Sequence, residues 1–474
     1  MSIHLVWFRN DLRITDNKAL HAACIDPNAT VYAIFIATPK QWHQHNMSAR
    51  QATFIYENLL HVQKELATKG IILKYHQCND FNESIQWLEN YCDRKYITDL
   101  FYNRQYEINE RRRDQKLEQR LQNKVFCRGF DDSVMLPPGE ILNGNGQMYK
   151  IYTPFRQAVI EKIRTSDLRS LTAPAIRRSG SVMIKKIPPP FDYPSQTVEP
   201  VFAAGEKYAL QLLRKFCQEK VQLYSKQRDI PAMQATSTLS PYLAIGILSP
   251  RQCLNRLRAE CSDLFTNIHS SSFSWLNELI WREFYRHLIV AYPFLCMGKP
   301  FIAWTDQISW NNDVHALEAW KQGQTGFPIV DAAMRQLNTI GWMHNRLRMI
   351  SASFLVKDLL INWRIGEQYF MSQLLDGDFA SNNGGWQWAA STGTDSVPYF
   401  RIFNPLIQGK RFDSTGIFIR KWLPELQHIP NQYIHHPYDW RDNNHSQIHY
   451  PLPIIDHQKA RQQTLTAFYT AKNT

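Results

Sequence analysis

No apolar run in the 474 residues approaches the roughly 20 that a membrane-spanning helix needs; the longest candidate, around Leu288 to Met297, is broken by Pro293. The opening MSIHLVWF lacks a basic n-region, an apolar h-region and a small-residue cleavage site, so a cytoplasmic protein with no membrane partner is expected. The eight cysteines (Cys24, Cys78, Cys92, Cys127, Cys217, Cys253, Cys261 and Cys296) form no C-x-x-C pair, which argues against a disulfide framework and a zinc site. Reduced, mostly buried thiols are expected. Glycine is scarce at the start: the first 130 residues hold only Gly70 and Gly129, so the G-x-G-x-x-G turn of a dinucleotide binder is missing. His435 and His436 are adjacent and His344 is isolated, which is no metal-ligand spacing, and no serine or cysteine carries a triad signature. A metal site and general hydrolase chemistry are both left without support.

What is present is the composition of a globular chain, 44% hydrophobic, 13% aromatic and 20% charged, with length for two or three domains. Fifty-four basic residues against 42 acidic ones give a net charge of +12, spread along the chain, which favours a polyanionic partner such as nucleic acid. Residues 1–130 alternate strand-like runs (Ile3 to Phe8, Val31 to Ala37, Ile71 to Tyr75, Ile97 to Tyr102, Val125 to Cys127) with helix-like ones (Gln51 to Thr68, Phe81 to Asn90, Glu107 to Leu121). This pattern predicts an α/β domain with a parallel sheet, Rossmann-like but without the fingerprint. Residues 131–205 are dense in proline and predict an extended linker without regular structure. Residues 206–474 read as all-α, with helix starts at Ser240-Pro241 and Ser249-Pro250, and carry 11 of the 14 tryptophans.

Three stretches of the helical region concentrate chemistry. Helical spacing places Trp275, Glu278, Trp281 and Arg282 along one side, either as an interface helix or as a stacking platform with a carboxylate beside it. A helix over Gly341 to Phe354 would line up Trp342, Asn345, Arg346 and Met349 opposite a core stripe of Leu347, Ile350 and Phe354. Acids and amides crowd Asp376 to Trp388 between indoles. Earlier, the hydroxyls of Thr236-Ser237-Thr238-Leu239-Ser240, just before a helix start, suit a pyrophosphate.

In their order along the chain, HLVWFRNDLRITDN, WLNELIWREFYRH, TGFPIVDAAMRQL, GWMHNRLRM and DGDFASNNGGWQWAASTGTD resemble the photolyase/cryptochrome family, and most of all its bacterial class I cyclobutane pyrimidine dimer photolyases. The resemblance covers essentially the whole chain. It implies an α/β antenna domain, an all-α domain that binds FAD and damaged DNA, and a monomer that repairs pyrimidine dimers by light-driven electron transfer.

Tyr224, Thr236, Ser237, Thr238, Leu239, Ser240, Trp275, Asp376, Asp378 and Asn382 are the residues implied for FAD, with Asn382 facing flavin N5. Arg228, Arg346 and Arg401 are implied as DNA-backbone contacts, and Trp281, Asn345, Met349 and Trp388 as walls for the flipped-out dimer. Glu278 is implied to hydrogen-bond the lesion, and Trp310, Trp363 and Trp386 to conduct electrons from the surface to oxidised flavin. Asn109 and Glu110 resemble the residues that hold a 5,10-methenyltetrahydrofolate antenna. Met297, where some folate-type members carry lysine, keeps 8-hydroxy-5-deazaflavin as the alternative. A cryptochrome-type light receptor and a (6-4) photolyase are the alternative functions; the latter resembles this chain but with a histidine pair at the positions of Asn345 and Met349.

Overall fold

The alternation of strand-like with helix-like runs in the first 130 residues produces five parallel strands: β1 (Ile3–Phe8), β2 (Thr30–Ala37), β3 (Ile72–Gln77), β4 (Asp99–Asn103) and β5 (Phe126–Phe130). Their spatial order is β3-β2-β1-β4-β5. The architecture is seen in a computed structural model that describes residues 2–177, 180–184, 186–444 and 449–473. Helices connect the strands: α1 (Ala49–Thr68), capped by Ser48, α2 (Phe81–Lys95), capped by Asp80, and α3 (Ile108–Leu121). Leu5 and Trp7, Ile34 and Ile36, and Leu100 and Tyr102 point to one face of the sheet, where Ile85 and Leu88 of α2 and Leu117 and Leu121 of α3 close a core. The order reverses between β1 and β4, the place where open parallel sheets form a crevice at their carboxyl ends.

The proline-rich stretch departs from expectation. It contains a regular helix, α4 (Tyr152–Thr165), with Pro154 in its first turn, where no intrahelical N–H is required. Downstream the chain is helical, as the periodicity predicts. The helices that matter below are α5 (Glu206–Glu219), α6 (Ser271–Ala291), α7 (Pro328–Ile340), α8 (Asn345–Ser353), α9 (Trp363–Gln373), α10 (Phe379–Ala390) and α11 (His457–Asn473). None of the helices among the described residues is long and apolar enough to cross a membrane. All eight cysteines are unpaired, five of them buried.

Two compact units emerge. One joins the chain up to Gln222 with Ser237–Cys296 and Leu375–Ala380; the other joins Leu223–Thr236, Met297–Leu374 and the chain from Ser381 onward. A buried ionic cluster explains why Ser237–Cys296 belongs with the sheet. Asp132 receives Arg13 on one oxygen and Arg251 on the other, the latter at 2.7 Å, and all three side chains are at most 3% exposed. Burial alone would push the Asp132 carboxyl up; the two guanidinium groups outweigh it and hold the group below its ordinary range. Gly246 has φ +69°, and a Cβ there would collide with the Asn10 carbonyl, so the loop after β1 and this turn meet backbone to backbone. In the second unit the core gathers Trp320, Leu347, Phe354, Trp363, Phe370 and Trp386.

Candidate active site

In the first unit α6 is capped by Ser270, whose hydroxyl accepts from Phe273 N–H, and presents Trp275, Glu278 and Trp281 one turn apart. Trp275 is buried, its ring 4.9 Å from that of Phe216 on α5. Trp281 is half-buried and stacked flat on Tyr152 of α4 at 3.6 Å, with Phe284 edge-on at 5.7 Å. The Tyr152 hydroxyl donates to the Asn277 carbonyl at 2.8 Å, which locks the stack to α6. Nothing in the sequence marks Tyr152, because it lies in the proline-dense stretch that predicts a linker. Glu278 is half-buried between the two indoles along the helix. Arg282 does not turn to Glu278; it donates to the carbonyls of Ser133 at 2.6 Å and Leu243 at 3.1 Å.

Asp378 pairs with Arg286 of α6 at 2.5 Å. The pair lines a cavity of about 30 Å³ at the carboxyl ends of β1 and β4, together with Asn10, Asp11, Asn103, Tyr106 and Glu107. Burial pushes the Glu107 carboxyl up to about 7, reinforced by its neighbours Glu110 and Asp378. At the start of α3, Asn109 Nδ2 lies 3.2 Å from His45 Nε2, which is itself 2.6 Å from Gln41. Burial lowers the His45 pKa and so favours the neutral ring. Glu110 Oε2 is buried without a hydrogen-bond donor. Burial raises its pKa, against the pull of Arg113.

The Ser237 to Ser240 segment is held locally: Thr238, at φ +52°, donates its hydroxyl to the Ser237 carbonyl at 2.7 Å. The short helix that follows is capped by Leu239 with no side-chain hydrogen bond, so Ser240 is its first residue and not the hydroxyl cap that the Ser-Pro pair predicts. The Ser249-Pro250 start does form a capping box, with Gln252. Asp376 is buried.

In the second unit Gly341 does not open a helix. It sits at φ +69° as the left-handed C-cap of α7, and α8 starts at Asn345, with His344 Nδ1 accepting from Arg346 N–H. Trp342 therefore lies off the row, while Asn345, Arg346 and Met349 stay on it: Asn345 Nδ2 and Arg346 Nη1 approach the Met349 sulfur at 4.0 and 3.7 Å. Arg346 also pairs with Asp229 at 2.9 Å and lies over Phe412. Arg228 lies over the buried ring of Tyr224 at 5.7 Å. Thr236 falls in this unit too, whereas Arg401 is exposed on the loop after α10.

The segment from Asp376 to Trp388, notable in the sequence only for its polarity, becomes α10 from Phe379 onward. Asn382 Nδ2 donates to the Glu367 carbonyl at 3.0 Å. Asn383 Nδ2 donates to Glu367 Oε1 at 2.8 Å, and Gln387 Nε2 donates to Asn383 Oδ1 at 3.0 Å. Burial pushes the Glu367 carboxyl up to about 7. Trp386 is 2% and Trp363 is 1% exposed in one core, while Trp310 is half-buried against that core, its ring edge-on to Phe468 of α11 at 6.1 Å. Trp388 is half-buried beside them.

Comparison with known proteins settles the family. Residues 4–175 match the model for DNA photolyase, and residues 275–470 match that for the FAD binding domain of DNA photolyase. The chain belongs to the DNA photolyase family. Among curated photolyases it is 54% identical to the deoxyribodipyrimidine photo-lyase of Escherichia coli, with 100% of this chain and 99% of that one covered. It is 53% identical, at the same coverage, to the enzyme of that name from Salmonella typhimurium. Among solved structures, a class III photolyase from Agrobacterium tumefaciens matches with a TM-score of 0.85 at 33% identity, covering 100% of this chain and 98% of its own. A Synechocystis cryptochrome matches with a TM-score of 0.87 at 27% identity, covering 98% and 99%. The α/β half and the helical FAD-binding half are thus those of a photolyase.

Proposed function

We propose that the protein repairs cyclobutane pyrimidine dimers in DNA under blue or near-ultraviolet light, as a cytoplasmic monomer. The observation that carries this reading is the full-length likeness to the enterobacterial deoxyribodipyrimidine photo-lyases. We assign antenna binding to residues 1–130 and FAD and DNA binding to residues 206–474, joined by residues 131–205. Reduced FAD, when bound, supplies the photoexcited electron that splits the cyclobutane ring and takes it back, with no net redox change.

The chain's own residues hold and tune that chemistry. Asn382 spends one amide hydrogen on the Glu367 carbonyl, and its oxygen would be an acceptor suited to the N5–H of a reduced flavin. Ser237 to Ser240, Thr236, Tyr224, Trp275, Asp376 and Asp378 would hold the rest of the cofactor. Trp281, braced from behind by Tyr152, and Trp388 form walls for the lesion. Glu278 would hold a dimer base in place by a hydrogen bond. Asn345 and Met349 complete the lesion contact, and Arg228, Arg346 and Arg401 meet the backbone. Trp310, Trp363 and Trp386 deliver electrons that return oxidised cofactor to its active state.

For the antenna, Asn109 and Glu110 are the proposed ligands. The Glu110 oxygen left without a donor fits a ring that presents N–H groups. A 5,10-methenyltetrahydrofolate does so through its aminopyrimidinone edge, and 8-hydroxy-5-deazaflavin is the alternative that absorption of the purified protein distinguishes.

The test is light-dependent repair of matched oligonucleotides carrying a cyclobutane dimer or a (6-4) photoproduct. Repair of the first alone, and only in light, is expected, because neither Asn345 nor Met349 titrates and a (6-4) lesion needs proton transfer. Repair of neither lesion by flavin-loaded, reduced protein would favour the cryptochrome reading, to which the Synechocystis likeness points.

A further inference from the structure

We propose that Gly366 seats the Trp386 indole and is thereby a positioning residue of the electron path into the flavin. The inference rests on the reading of Trp386, Trp363 and Trp310 as that path. Gly366 lies inside α9, in ordinary right-handed helical conformation, where glycine is less favourable than alanine. It is not among the residues with positive φ, so no left-handed backbone requires it. Space does. A Cβ at Gly366 would stand on Trp386 Cη2, 2.5 Å from Trp386 Cζ3 and 2.6 Å from Leu355 Cδ2.

The surroundings leave the indole nowhere to retreat. Trp386 meets Phe370 edge-on at 4.9 Å and Trp320 edge-on at 6.1 Å. Trp320 is stacked on Phe370 and pinned by its Nε1–H to the Ser351 carbonyl at 3.0 Å. Trp363, Gly366 and Phe370 follow at spacings of three and four, so they share one face of α9. One helix face therefore carries Trp363 and, about 4.5 Å further along the axis, the notch that receives Trp386. Electron transfer between rings falls steeply with their separation, and a methyl in the notch would move the Trp386 ring relative to its neighbours on the path.

The experiment compares Gly366→Ala, Trp386→Phe and the double variant in the flavin-loaded protein, reading tryptophan oxidation and flavin photoreduction by transient absorption and repair by chemically reduced protein. Gly366→Ala is expected to slow photoreduction by about tenfold while chemically reduced protein repairs normally. A purely structural role would not split these two readouts. Wild-type photoreduction in folded, flavin-loaded Gly366→Ala, with Trp386→Phe blocked, would overturn this proposal and leave the path intact. Normal photoreduction in Trp386→Phe would overturn both. Should Gly366→Ala lose its fold or its flavin, the smaller phenyl ring of the double variant should recover most of the lost melting temperature, leaving only the Leu355 methyl to give way; no recovery would refute the seat.

Discussion

Glu278 stands one helical turn from Trp275 on one side and from Trp281 on the other, and only Trp281 is backed by a stacked ring. That arrangement suits an acid that hydrogen-bonds the lesion, so Glu278→Gln keeps a hydrogen-bonding group of the same size but exchanges the acid's own hydrogen bond for an amide's. Its repair yield should fall about two- to fivefold, the worth of one modest hydrogen bond, with flavin content unchanged; an unaltered yield would remove Glu278 from the mechanism. Glu367 offers a different test. Its folded-state pKa lies near 7 against an ordinary 4.5, chiefly because burial disfavours the charge. The stability linked to it is present below about pH 4.5 and lost as pH rises towards 7. Glu367→Gln retains the bond to Asn383 without that loss, so the variant should gain on the wild type by up to ~3 kcal/mol between acid and neutral pH. Melting temperatures across the range decide this, and a gap that does not widen would contradict it.

At the scale of elements, α9 and α10 show what helix propensity does and does not explain. A methyl group added at Gly385 in α10 would have nothing within 4 Å, and the position is exposed, whereas Gly366 in α9 is walled in. Gly385→Ala should therefore raise stability by about 0.5–1 kcal/mol, and Gly366→Ala should lower it, measured by urea melts of the two proteins side by side. The central strands were legible in the sequence because both sheet faces are covered, which leaves short, nearly continuous apolar runs. Helix α4 was not, since proline density masks the one context, the first turn, that tolerates Pro154. Gly341 is a stop signal that the apolar spacing beyond it disguises as a start; its left-handed φ ends α7. The pair Gly384-Gly385 hid α10, whose buried Trp386 and Gln387 supply the packing that propensity lacks. The site residues were visible as motifs, but their partners were not. Asp378 meets Arg286 and Arg346 meets Asp229 across about a hundred residues of chain, and no local pattern encodes such pairs.

For the whole molecule, the net charge of +12 predicts DNA binding that weakens with salt, because each neutralised phosphate releases counterions. The structure distinguishes the two principal arginines proposed to contribute. Arg401 is exposed on its loop, whereas the Arg346 guanidinium already faces Asp229 at 2.9 Å and lies over Phe412. A cation that must share its field with a carboxylate displaces fewer counterions when phosphate arrives. Arg401→Ala should therefore reduce the slope of log affinity against log salt by ~0.9, while Arg346→Ala should reduce it by less than half as much and act instead through the placement of Met349, which Arg346 touches at 3.7 Å. Fluorescence anisotropy with a dimer-containing duplex, from about 50 to 200 mM salt, reads both slopes, and equal reductions would show that Asp229 leaves Arg346 when DNA binds.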